Sequence, residues 1–152
     1  MHTDAIWRQD EYIVSTERKL LDLDVIHRFL TEAYWSPGIP RSTIEQAIEH
    51  SLPFGLYHGT RQVGFARVIT DYTTFAYIAD VFVIEKYQGR GLSKWMMRCV
   101  MEHPDLQGLR RWTLFTRDAH GLYEKVGFQT SKTPERLMEQ VFPNIYQRSA
   151  EV

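Results

Sequence analysis

A single cysteine, Cys99, among 152 residues excludes an internal disulfide, so nothing in the chain calls for an oxidising compartment. It falls on the apolar side of an expected helix, which suits a buried thiol better than a reactive one. Charge of one sign is also missing. The 18 Lys and Arg against 19 Asp and Glu leave a formal net charge of -1, which provides no general field for nucleic acid or an anionic membrane. No apolar run is long enough to cross a bilayer, and "MHTDAIWRQDEY" lacks the basic start and apolar stretch of a secretory leader. A cytoplasmic protein without nucleic-acid or membrane partners is the expectation. Gly/Ser-rich linkers, repeats and low-complexity tracts are absent too, so one domain over 1–152 is expected, with no metal ion. What is plentiful is core material: 43% of the residues are apolar and 13% aromatic, enough for a folded domain.

Hydrophobic periodicity orders the elements. "SLPFGLYHGTRQVGFARVIT" holds two apolar runs, about 54–57 and 63–69, joined by the hairpin-like "HGTRQ". After the turn "DYTT", the nearly continuous run "FAYIADVFVI" reads as a strand buried on both faces. Leu92, Trp95, Met96, Cys99 and Val100 then recur at helical spacing, with the helix stopping before Pro104. "RRWTLFT" is a further strand, and Asp118 is placed to cap a helix carrying Ala119, Leu122, Tyr123 and Val126 that ends at Gly127. Upstream, Val25, Ile26, Phe29, Leu30 and Ala33 predict one amphipathic helix, and "STIE" at 42–45 predicts a capping box opening a second. Short strands are expected near 128–131 and 137–142. The resulting order, ααβββαβαββ with an added early strand near Tyr12 to Ser15, is a mixed α/β sheet flanked by helices.

In "DVFVIEKYQGRGLSKWMM" a strand runs through Gly89 and Gly91 into a helix. Unpaired N–H groups at a helix start make an anion site, and glycine lets backbone approach a phosphate. Walker A does not fit, because "GRGLSK" lacks the Gly-Lys-Ser/Thr ending. The dinucleotide fingerprint does not fit either, because Lys94 stands where a small residue is required. A second segment about 30 residues on, "TRDAHGLYEKVGF", changes the balance. Together the two resemble the acyl-CoA-binding core of the GNAT superfamily of N-acetyltransferases, over roughly 54–128. Gln88, Gly91 and Ser93 occupy the first motif, with Ser93 in a Gly/Ala position. Ala119, Tyr123, Gly127 and Phe128 match the second, with Thr116 replacing an asparagine.

The resemblance implies a mostly antiparallel central sheet and acetyl-CoA as co-substrate. Its arm would pair with the backbone of Val81, Phe82 and Val83, and its pyrophosphate would lie on the amides of Gln88, Gly89, Arg90, Gly91, Leu92 and Ser93, with Thr116 and Ala119 nearby. The resemblance also implies Tyr123 as general acid, and it makes a homodimer an expectation. Acetyl transfer to an amine needs a base, since an alkyl ammonium titrates near 10.4. Asp80, the only charged residue in "FAYIADVFVI", is the first choice, and His120 is its rival; a hydrogen-bonded structural Asp80 is the other reading. Tyr34 and Trp35, in the loop "YWSPGIPR" where the family admits its acceptor, either wall that acceptor or pack the loop. Arg67 either meets an acceptor carboxylate or pairs with Asp80, which would keep the aspartate ionised. An enzyme acting on a small-molecule amine leads. A protein amine is a second acceptor class, and a non-catalytic acyl-CoA sensor is a second function. An RNA-binding sheet is disfavoured by the lack of basic and aromatic strand alternation.

Overall fold

The computed structural model describes residues 3–149. Six strands form one sheet in chain order: β1 (Ile6–Gln9), β2 (Tyr12–Ser15), β3 (Leu52–His58), β4 (Arg61–Thr70), β5 (Phe75–Val83) and β6 (Arg111–Leu114). Helices α1 (Leu23–Leu30) and α2 (Arg41–Glu49) separate β2 from β3. Helix α3 (Leu92–Glu102) joins β5 to β6, α4 (His120–Glu124) follows β6, and α5 (Ile145–Ser149) ends the described chain. Every neighbouring pair is antiparallel except β5 and β6, which run parallel because α3 carries the chain back across the sheet between them. The mixed α/β, mostly antiparallel class implied by the sequence is the class found.

Alternation along the strands supplies two cores. On one face Met96, Cys99 and Val100 of α3 pack with Phe54, Leu56 and Val68, none more than 1% exposed. On the other, Ile26 and Leu30 of α1 and Ile44 and Ile48 of α2 cover Phe65 and Phe82. Each fully buried side chain of this size contributes about 1.5–3 kcal/mol, so these stripes hold the helices in place. Phe29 stacks on Phe82 with centroids 4.0 Å apart, tying α1 to the far end of β5. The β4–β5 turn is held by Asp71, whose Oδ1 accepts the N–H groups of Thr73, Thr74 and Phe75. The Thr74 hydroxyl, donating to Asp71 Oδ2 at 2.6 Å, together with these N–H bonds holds its carboxyl far below the usual carboxylate range.

Several local expectations are corrected. A second N-terminal strand, β1, pairs with β2 through a turn at Asp10, whose φ is 53°. It escapes a periodicity reading because only Trp7 packs inward, against Phe54. The 42–45 capping box does not form. Pro40 is the residue before α2, so Ser42 lies inside the first turn, where Pro40's fixed φ sets the start. Asp118 does not cap α4 either: Thr116 Oγ1 accepts the N–H of Ala119 at 3.0 Å. The strands expected near 128–131 and 137–142 are absent. Beyond Phe128 that segment, interrupted by Pro134 and Pro143, stays exposed through residue 142 and leaves the outer edge of β6 unpaired.

Two irregularities shape the functional region. Between β4 and β5 the register passes from Phe65 opposite Phe82 to Arg67 opposite Ala79, so β5 carries one extra residue in a bulge at 80–81. Pairing of β5 with β6 also stops at Ile78 and Leu114, whereas β4 accompanies β5 as far as Val83. The two parallel strands therefore splay, and the edge of β5 from Ala79 to Val83 stands open.

Candidate active site

Ile84 N–H donates to Val63 C=O at 2.9 Å, and Phe82 stands opposite Phe65. By the alternation of an antiparallel ladder, Val83 turns its own N–H and C=O toward the open side. Phe82 turns its backbone to β4 and its ring into the α1/α2 core, where it is 4% exposed. Of the stretch 81–83, Val83 is thus the residue best placed to pair with an extended amide chain. Gln88 closes one position from the same side, its Nε2 donating to Val83 C=O at 2.8 Å.

The open edge leads to the start of α3. Gly89 and Gly91 have φ of 80° and 77°, a conformation that costs other residues about 1 kcal/mol or more, and a Cβ at either would meet only open space. Among the described residues, the backbone N–H groups from Gly89 to Lys94 find no acceptor, and the first bond into the helix is Trp95 N–H to Gly91 C=O. Gln88 is different: its N–H is taken by Glu85 C=O, so the free donors begin at Gly89. Leu92 presents only its N–H, because its side chain is 4% exposed in the core. Arg90 lies over the Tyr87 ring at 5.2 Å and donates to the Tyr12 hydroxyl at 3.3 Å, which stations a cation beside these donors. A diphosphate fits this turn by charge and by donor count.

At the other end of the open edge the bulge puts Asp80 at φ 57°, a left-handed setting that Asp tolerates better than most residues. Its Oδ2 accepts from Arg67 Nε at 2.9 Å and its Oδ1 from Trp35 Nε1 at 3.0 Å. The paired side chains are 15% and 14% exposed. The expected Arg67–Asp80 pair therefore exists, and Trp35 joins it. A carboxylate offers about four lone-pair directions, so Asp80 retains acceptor capacity toward the cleft. Tyr34 meets Trp35 edge-on at 5.0 Å, and the Arg117 guanidinium rests 3.8 Å above the Tyr34 ring.

These groups line a cleft of about 690 Å³. A second cleft, about 630 Å³, lies along β6 and residues 128–137. Tyr123, on α4, borders both. It is 8% exposed, its ring packs edge-on to Phe128, and its hydroxyl has no partner among the described residues. Burial, with Tyr34 adding to it, pushes this phenol up to about 12, so it stays protonated through the physiological range. His120 is exposed and faces the second cleft, apart from Asp80. Thr116 and Ala119 border the first cleft beside Tyr123.

Sequence reasoning missed three contributors. Tyr146 reaches the first cleft from the C-terminal segment and packs on the α1/α2 core, a placement that no local pattern reveals. Tyr77 lines the same wall, its phenol raised by burial and by Asp80. Arg117 stood in plain view within "TRDAHGLYEKVGF", but only the fold brings it to Tyr34.

Comparison with known proteins agrees with this fold. The profile of the acetyltransferase (GNAT) family matches residues 19–128. A candidate acetyltransferase of Gibberella zeae is 34% identical, with 78% of this chain and 79% of that protein covered. The crystal structure of a candidate GNAT acetyltransferase from Xanthomonas campestris pv. campestris superposes with a TM-score of 0.86 at 52% identity, over 89% of this chain and 96% of that one. N-acetylglutamate synthase from Neisseria gonorrhoeae, solved with coenzyme A and N-acetyl-glutamate, shares the fold at 16% identity and a TM-score of 0.65, over 95% of this chain and 33% of its own. With the family profile spanning the open strand edge, the glycine turn and Tyr123, the chain belongs to the GNAT family of acetyltransferases.

Proposed function

We propose that the protein transfers an acetyl group from acetyl-CoA to the amine of a small molecule by direct attack. The observation that carries this reading is the splay of β5 from β6: one open strand edge runs from the free N–H groups at 89–94 past Val83 to Asp80, which lines the same cleft as Tyr123. Acetyl-CoA would supply an activated acyl group on a thioester. Val83 would pair with its arm and Gly89 to Ser93 would hold its pyrophosphate, with Arg90 beside them and Val81, Thr116 and Ala119 along the path.

Asp80 would take the proton of the incoming amine, directly or through a water, using the acceptor capacity that Arg67 and Trp35 leave free. The Val83 N–H would donate to the acyl oxygen as charge gathers there. Tyr123, protonated and without a partner, would donate its hydroxyl hydrogen to the departing sulfur. The acceptor would enter past Tyr34 and Trp35. A partnerless phenol and an acid lining one cleft favour an enzyme over a sensor, since neither group is needed to hold a nucleotide. Calorimetric binding of acetyl-CoA, followed by release of free CoA thiol with a panel of amines, tests this. No binding at millimolar acetyl-CoA refutes it; binding with no turnover on any amine leaves the sensor.

A further inference from the structure

The first cleft carries information about the acceptor, and reading it rests on the amine-acetylation proposal above. The buried lining of the cleft includes Leu30, Ile44, Ile48 and Phe65, none more than 6% exposed, from α1, α2 and the sheet. The more exposed Trp35 and Tyr146 line it as well. The charged lining residues are Arg67, Asp80, Arg117 and Asp118, two of each sign. Arg67 gives its Nε to Asp80 and its Nη1 to Ser51 Oγ at 3.4 Å, so its charge is balanced by Asp80, and the exposed Arg117 lies over Tyr34. Asp118 is exposed, and Glu139 approaches Tyr77 from the C-terminal segment. Inside the cleft, then, Asp80 and Arg67 form one neutral pair among apolar and aromatic walls, with no second buried cation among the described residues.

We propose that the acceptor is a primary amine with one positive charge on an apolar, ring-sized body, an arylalkylamine in chemistry. Its ammonium meets Asp80, and its ring enters between Trp35 and the α1/α2 core. An α-amino acid would bring a second carboxylate beside Asp80, where the Arg67 charge is already balanced. A polyamine or aminoglycoside would leave its further charges against apolar walls or facing Arg117.

Calorimetry on the cofactor-free protein with 2-phenylethylamine, methylamine, spermidine, kanamycin and phenylalanine reads recognition separately from acetyl transfer. Binding of 2-phenylethylamine at least tenfold tighter than each of the others is expected, with the same order in kcat/KM once acetyl-CoA is supplied. Ala47→Leu narrows the cleft from the wall of α2 with a residue that suits a helix. It is expected to weaken phenylethylamine at least tenfold more than methylamine. A ranking led by spermidine, kanamycin or phenylalanine, no binding of any amine at millimolar concentration, or equal losses for the two amines in Ala47→Leu would each overturn the proposal. An intact binding order with no acetyl transfer would count against the enzymatic reading while upholding this one.

Discussion

Tyr123→Phe separates catalysis from architecture because the hydroxyl it removes has no partner among the described residues. A buried polar group without a hydrogen bond costs about 1–3 kcal/mol, and contact of this phenol with the clefts puts it at or below the low end. Phenylalanine keeps the ring and its packing on Phe128, so the variant is expected to gain about 0.5–1 kcal/mol. For a chain of this length that raises the thermal midpoint by about 1–4 °C. Activity moves the other way. A positioned general acid contributes about 10²–10⁴-fold, and a thiolate whose acid titrates near 8.5 leaves readily, so the lower figure applies. A fall of about 100-fold in kcat is about 2.7 kcal/mol of transition-state stabilisation. Steady-state release of CoA thiol, calorimetric acetyl-CoA affinity and a melting curve on the same preparation supply all three readings. Unchanged kcat would refute the acid role. A matching loss of acetyl-CoA affinity would make the hydroxyl a binding group, and a midpoint lowered by more than about 4 °C would show that it holds the fold.

Other outcomes follow from neighbouring residues. If Asp80 accepts the amine proton, Asp80→Asn keeps the side-chain shape and the left-handed backbone, and the rate should need higher pH, toward the amine's own value near 10.4; a superimposable pH profile would reject the base role. Gly91→Ala puts a Cβ into open space but onto φ 77°, so it should cost about 1 kcal/mol of stability and weaken acetyl-CoA binding by re-aiming the free N–H groups; unchanged affinity would remove the turn from the site. Burial raises the Cys99 thiol from an ordinary value near 9 to about 12. The native state then holds the proton more tightly, so this stabilisation is full below about pH 9 and is lost as pH rises toward 12. Thermal midpoints should fall across that window, and less so in Cys99→Ala; equal slopes would show that the thiol is not responsible.

How much of this was legible in the chain differs by element. The α3 stripe and the glycine turn are local, because helical spacing and the left-handed φ at Gly89 and Gly91 are properties of neighbouring residues. The early β1 strand and the tail were not legible. One exposes most of its side chains, and the other has strand-like residues but, interrupted by Pro134 and Pro143, forms no ladder with the edge of β6. Charge inside "FAYIADVFVI" singled out Asp80, and its pairing with Arg67 was one of two alternatives open at that stage. That Trp35 would complete the pair was hidden, since 45 residues of chain separate it from Asp80.

By itself the sequence determined the element types around the site and the glycine turn, which rest on short-range periodicity and spacing, and it carried the two motifs that resemble the family. Tertiary structure decided where strand pairing stops. The end of β6 at Leu114 opens the edge of β5, and a single bulge residue turns Asp80 toward Trp35 and Arg67. Both are matters of register between distant segments, and register is set by how whole strands and their covering helices pack against one another.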